Sequence, residues 1–226
     1  MKKILILQGG LNEEHKVSIN TANEVAKVLT KLKIDFIRFT VNPKTFVRDI
    51  SRFSNKHICF NSLHGSFGED GKIQKILKKK GFSFTHSNQN SSINCFNKIK
   101  SKEIIKKYKI LTPSHKLVKI KDIDHKYLEK ISIKFKKFVL KPVSSGSSYG
   151  LKVIKSKKDL TFFCKEIQKF KRNFNYNEYF IIEKYISGKE LTVSVLENES
   201  KIKPLEVTEI ISLNPTYDYQ AKYTKG

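Results

Sequence analysis

Four short segments concentrate the side chains that can hold or transform a small charged molecule. The first, Gly9-Gly10-Leu11-Asn12-Glu13-Glu14-His15-Lys16-Val17-Ser18, joins an apolar run to a helical pattern. At such a junction backbone N–H groups and the helix dipole favour a negative ligand. A plainer reading stands beside it: a tight turn with Ser18 as helix cap and Glu14 as a solvated charge. The second segment, His64-Gly65-Ser66-Phe67-Gly68-Glu69-Asp70-Gly71, has three glycines in eight residues. These open backbone conformations denied to other residues and leave a histidine and two acids within reach of a ligand. Equally, the acids can serve as caps for a helix beginning at Gly71.

The third segment is Lys141-Pro142-Val143-Ser144-Ser145-Gly146-Ser147-Ser148-Tyr149-Gly150, lying between two apolar runs. A loop of this kind can fold over a phosphate chain, with backbone N–H groups and hydroxyls such as that of Ser148 donating and a strand-borne Lys141 supplying fixed positive charge. It is not a P-loop, because Gly-Lys-Ser/Thr is absent and a strand, not a helix, should follow; the placement suggests a hairpin lid. Read more plainly, it is a flexible hairpin and Lys141 is one lysine among many. The fourth segment sets Glu183 and Glu190 seven residues apart around Ser187-Gly188, a spacing suited to an adenine amine and ribose hydroxyls. Edge-strand charges are the alternative.

The elements that must position these residues follow from hydrophobic periodicity. Residues 3–8 predict a strand, and Val17, Ile19, Ala22, Val25, Ala26, Leu29 and Leu32 predict a helix after it. Strands are expected at 35–40 and 57–61, each set apart by enough chain for a crossover. The implied fold is α/β, beginning with a doubly wound parallel sheet whose chemistry sits in the loops after its strands. From about Asn94 a second unit begins, with a helix over 97–108, Thr112-Pro113 as a breaker, strands near 115–119, 136–141 and 150–154, a helix at 156–171, and strands at 179–184, 190–196 and 201–207. The final residues read as loop.

With 226 residues, 38% of them hydrophobic, the chain is long enough for two compact units and part of a third. Lys2-Lys3 before a four-residue apolar run is too short a signal-peptide core, and no stretch approaches a membrane span. The expected compartment is the cytoplasm, with no membrane partner. Cys59, Cys95 and Cys164 are widely separated and odd in number, which argues against a disulfide framework or a zinc site. A formal charge of +24 raises the question of nucleic acid. Arg38, Arg48, Arg52 and Arg172 are the only arginines, and the lysines are scattered, so a solvated surface is the expectation rather than a nucleic-acid-binding face.

Taken together and in this order, the four segments resemble the D-alanine–D-alanine ligases, which are ATP-grasp enzymes, with the match running from Ile4 to Gly226. Tyr217-Asp218-Tyr219-Gln220-Ala221-Lys222-Tyr223 resembles that family's active-site loop. The resemblance implies an N-terminal α/β domain over 1–93, a central ATP-grasp lobe over 94–178 and the start of a larger C-terminal lobe over 179–226. It implies that Lys98, Lys141 and Lys222 contact ATP phosphates, with Ser148 beside them, and that Glu183 and Glu190 hold adenine and ribose. Glu14 would bind the ammonium of the first D-alanine, linked through Ser147 to Tyr223, with His64 near that substrate's carboxylate. Gln220 and Lys75 depart from the family pattern at positions not proposed as catalytic.

Family members continue past this point, into a segment that supplies an oxyanion-binding arginine and the ligands of two Mg²⁺ ions. No replacement carboxylate cluster is evident here, so the chain alone is expected to be an inactive fragment of a ligase whose family is commonly homodimeric. A nucleotide-binding remnant without turnover, a basic nucleic-acid-binding protein and an ATP-grasp ligase for another amino acid are the competing expectations.

Overall fold

The computed structural model describes residues 3–198 and 201–211. Ten strands and seven α-helices are found among them, in two compact units: residues 1–112 with 141–150, and residues 113–140 with 151–226.

In the first unit the apolar run near the N-terminus forms β1 (Ile4–Gly9), followed by α1 (His15–Lys31), β2 (Phe36–Val41), the single turn α2 (Phe46–Asp49), β3 (Ile58–Asn61), α3 (Lys72–Lys79), β4 (Ser83–Phe84), α4 (Gln89–Phe96) and α5 (Lys98–Lys107). The sheet order is β2-β1-β3-β4 and every pairing is parallel. Alternation along β1 gives each face its own core. Ile4 and Ile6 pack with Ala22, Ala26 and Leu29 of α1, while Leu5 and Leu7 join Phe46, Ile50, Ile73 and Leu77 on the other face. Helices on both faces of a parallel sheet make this half doubly wound, the expected class.

The second unit contains β5 (His115–Lys119), α6 (His125–Phe135), β6 (Phe138–Pro142), β7 (Lys152–Ile154), α7 (Lys157–Lys171) and β8 (Tyr179–Lys184). Its sheet runs β5-β8-β6-β7, with β5–β8 and β6–β7 antiparallel. Leu128, Ile131 and Phe135 of α6 and Leu160, Phe163, Ile167 and Phe170 of α7 share one core with Phe138, Leu140, Phe180 and Ile182. Phe180 lies edge-on to Phe170 and Phe174, with centroids 5.8 and 4.9 Å apart, a geometry that satisfies the ring quadrupoles. α7 begins with a capping box: Ser156 accepts from the Asp159 N–H and Asp159 accepts from the Ser156 N–H. β9 (Glu190–Asn198) and β10 (Lys201–Ile210) form a separate antiparallel pair whose register shifts between Pro204 and Val207. Leu191, Val193, Val195, Ile202 and Val207 are exposed on it.

The sequence expectations need some additions. α6 was not anticipated, although Asp124 caps it and Leu128, Ile131 and Phe135 mark its buried stripe; nor were α2 and α4. β10 runs on to Ile210, past the expected end of the strand at 207. The core predicts its own test. Phe180→Ala should cost about 3–5 kcal/mol, whereas Ile133→Ala, at a position 82% exposed, should stay within about 0.5 kcal/mol, both read by chemical denaturation.

Candidate active site

The loops after β1 and β3 meet around one carboxyl group. Gly9 and Gly10 both adopt left-handed φ near +90°, turning the chain sharply out of the sheet. Glu14 occupies the N-cap position of α1, but its side chain makes no cap bond. It points inward and is 1% exposed, so the solvated-charge reading fails. Ser18 does not cap the helix either. It lies within α1 and accepts from the Gly9 N–H at 2.8 Å, fixing the turn from inside. Asn12 holds the two loops together, donating to the carbonyls of His64 and Ser66 at 2.7 and 3.0 Å and accepting from the Glu14 N–H at 3.0 Å.

Glu14 is enclosed by glycines. A Cβ at Gly65 would stand 2.4 Å from Glu14 Oε2, and one at Gly146 would stand 2.9 Å away. Neither position therefore tolerates a side chain without displacing the carboxylate. Ser147 Oγ donates to Oε1, whereas Oε2 is buried with no hydrogen-bond partner among the described residues. Burying a polar atom unsatisfied costs roughly 1–3 kcal/mol, and more for a charged group, so this oxygen is where a donor from a ligand would be most welcome.

Ser147 reaches Glu14 because the loop after β6 is drawn into the first unit. Ser147 and Ser148 both have positive φ, +46° and +60°, a conformation that side chains adopt only when their surroundings enforce it. Lys98 provides part of that enforcement: its N–H donates to the Val143 carbonyl at 3.0 Å and its Nζ to the Ser145 carbonyl at 2.7 Å. Lys141 starts the same segment. The first unit thus gathers Glu14, His64, Lys98, Lys141, Ser147 and Ser148. Glu183 and Glu190 belong to the second. Glu183 is 5% exposed on β8, an interior strand, so it is not an edge-strand charge; Glu190 is exposed at the start of β9. Lys222 and Tyr223 lie outside the described residues.

The acids of the glycine-rich loop divide their work. Asp70 accepts from the Lys72 N–H at 3.1 Å, as a residue ordering the start of α3 should, while Glu69 turns back to accept from the Gly65 N–H at 3.0 Å. Glu69 also stands 3.8 Å from His64 Nδ1, and His64 Nε2 lies 2.9 Å from Thr21 Oγ1. Desolvation in this cleft lowers the His64 pKa, partly offset by the field of Glu14. The Glu69 pKa is raised by desolvation and by Glu14 against the Gly65 hydrogen bond. Because 44% of the Glu69 side chain remains open to solvent, its effect on stability is strongly screened. Sequence reasoning overlooked Asn12, Thr21 and His86; the last two carry no motif signal, whereas Asn12, a turn-favouring residue directly after Gly-Gly, was legible. Among the described residues no group of three or more His, Cys, Asp or Glu converges as a metal site, and none of their helices is long and apolar enough to cross a membrane.

Comparison with known proteins shows which family shares this fold. The fold matches that of ATP-grasp ligases of known structure: a D-alanine–D-alanine ligase from Bacillus anthracis complexed with ATP superposes with a TM-score of 0.71 at 27% identity, over 98% of this chain and 69% of that one. D-alanyl-alanine synthetase A from Vibrio cholerae shares the fold with a TM-score of 0.74 at 22% identity, over 99% of this chain and 71% of that one. Residues 101–226 match the family model described as D-ala D-ala ligase C-terminus. D-alanine–D-alanine ligases from Pelagibacter ubique and Methylacidiphilum infernorum are 38% and 37% identical over the whole of this chain, which spans 70% and 67% of their lengths. The chain belongs to the D-alanine–D-alanine ligase family.

The lowered His64 pKa fixes the sign of a pH effect. From its ordinary value of 6.5 down to the folded value, the unfolded chain binds the proton more readily, so stability falls as pH falls through that window and is unaffected above it. Glu69 acts oppositely, losing stabilisation as pH rises above 4.5. Between pH 7 and 5, His64→Gln should therefore lose less stability than the parent chain, measured as the shift in Tm.

Proposed function

We propose that this chain carries the nucleotide- and first-substrate-binding machinery of an ATP-dependent, ADP-forming D-alanine–D-alanine ligase that serves peptidoglycan precursor synthesis. The observation that carries the reading is the buried, half-satisfied carboxylate of Glu14 in its glycine cradle. An alanine ammonium supplies the missing donors and the opposite charge. Ser147 keeps the other oxygen oriented, and Tyr223 completes that network in this reading. His64 sits beside the site to neighbour the substrate carboxylate.

The reaction requires the first D-alanine carboxylate to attack the γ-phosphorus of ATP, releasing ADP, and the amine of the second D-alanine to displace phosphate from the resulting acyl phosphate. Each step needs phosphate charge neutralised and water excluded. Lys98, Lys141 and Lys222 serve the first need, with Ser148 and the loop N–H groups donating to phosphate oxygens. Glu183, buried on β8, and Glu190 take the adenine amine and the ribose hydroxyls. Mg²⁺ belongs to this reading as the ion that would neutralise ATP phosphates, but the described residues offer no cluster to hold it. A three-lobe division at 93/94 and 178/179, a homodimer and a cytoplasmic setting belong to the same reading.

Titration of the whole chain tests it. D-alanine should shift the amide resonances of Gly65 and Gly146, and Glu14→Gln should abolish those shifts while leaving ATP affinity unchanged. Lys141→Ala should weaken ATP by about tenfold, the scale of one charge-assisted hydrogen bond, and spare the D-alanine response. A Glu14→Gln chain that still shows the Gly65 shifts would refute the assignment. ATP binding without D-alanine-dependent phosphate release from the complete enzyme would favour a nucleotide-binding protein without turnover.

A further inference from the structure

The second unit contains a recess of about 480 Å³ that draws on none of the four chemistry-bearing segments. It lies between β7, the outermost strand of its sheet, and one stripe of α7, where Asp159, Phe162, Glu166 and Lys169 follow one another by three or four residues. Its floor is apolar. Ile154, Phe163 and Phe170 are each at most 7% exposed, and the two rings meet edge-on with centroids 5.2 Å apart. Phe162 continues this aromatic surface and is left 68% exposed. A further ring set against these three would gain the same quadrupole fit.

Charge surrounds that floor unevenly. Lys152, Lys158 and Lys169 face Asp159 and Glu166, three ammonium groups against two carboxylates. Asp159 is already committed, since its Oδ2 accepts from the N–H groups of Lys155 and Ser156, each at 2.9 Å. Lys152 is the positioned cation. Its Nζ stands 5.6 Å from the centroid of the Phe170 ring and makes no ion pair among the described residues. A contact of this kind places a charge without neutralising it.

The free edge of β7 invites another explanation, the addition of a peptide strand. Three residues give too few rungs, and a lysine on so short an edge discourages pairing. A polyphosphate fits no better, because the recess carries only one net positive charge.

We infer that this recess binds a small aromatic monocarboxylate. The ligand ring lies against Phe162, Phe163 and Phe170, its carboxylate meets Lys152, and Lys158 and Lys169 add a positive field at the mouth. The inference is independent of the proposed function, because no residue between 152 and 173 has a part in that reading.

The test titrates the whole chain with 2-naphthoate, followed by calorimetry and by the amide resonances of Lys152, Ile154 and Phe162. One equivalent should bind saturably, with a dissociation constant below about 1 mM and with shifts centred on those amides. Lys152→Met, which keeps the aliphatic stem and removes the charge, should weaken binding about tenfold, the scale of one charge-assisted hydrogen bond. Phe162→Ser, at an exposed position, should weaken it by a similar factor, with melting curves confirming that both variants fold. Glu166→Gln, which removes a competing carboxylate, should tighten it. 2-Naphthalenemethanol, with the same ring and no charge, should bind the parent chain about tenfold more weakly than 2-naphthoate does. Absence of saturable binding, indifference to both Lys152→Met and Phe162→Ser, or equal affinity for the alcohol overturns the inference. Tighter binding of decanoate also overturns it, by assigning the recess to aliphatic chains. Tighter binding of an extended acidic peptide does the same, by assigning it to strand addition. None of these results bears on the ATP or D-alanine titrations, so either reading can fail while the other stands.

Discussion

A carboxylate held out of water with one oxygen unmatched is the constraint around which the first unit is arranged. Glu14 can be buried only because two loops approach it through glycines, because Asn12 ties those loops to each other, and because a serine from a distant stretch of chain satisfies the other oxygen. Each of these is costly on its own. Left-handed backbone at Ser147 and Ser148, a cap position on α1 with no capping bond and an unpartnered buried atom all reduce the stability of the free protein. Such features survive where the surrounding fold over-determines them, and they cluster where a ligand is to be held. The parallel sheet and its two apolar faces provide that surplus.

Local pattern conveyed much of this, and long-range geometry conveyed the rest. The strand–turn–helix at the N-terminus, the hairpin at 138–154 and α5 between Asn97 and Tyr108 were legible, because an apolar period and a punctuating residue coincide at each. α6 was missed because lysines surround its apolar stripe and dilute the periodicity, even though Asp124 marks its start. The candidate residues were legible as types in glycine-rich loops. Their pairing was not legible locally: that Ser147 meets Glu14 across 133 positions was implied only by the family resemblance, and nothing in the sequence says that Ser18 serves the turn behind it instead of capping the helix. Burial decided both. Glu14 and Glu183 look like ordinary surface acids until the packing around them is known.

The lysine-rich composition is resolved in the same way. Most lysines are exposed and add to a diffuse positive field that would concentrate nucleotide near the protein. Lys98 differs from them in geometry, not in kind. Capped by Asn97 at the start of α5, it is fixed against the serine loop by two hydrogen bonds, one from its backbone and one from its side chain. A lysine immobilised in this way spends no rotamer entropy when a ligand arrives, and this separates a binding lysine from a solubilising one.

The ribbon formed by β9 and β10 has a different implication. Two long strands with valine, leucine and isoleucine facing outward and no third strand paired to them among the described residues are a template on which other chains can stack. Pro204 interrupts that template. Lacking an N–H and sitting where the register slips, it denies a newcomer one rung of the ladder and twists the strand away from flatness. An apolar ribbon carrying a proline at a register shift is a poorer template for strand addition than an uninterrupted one.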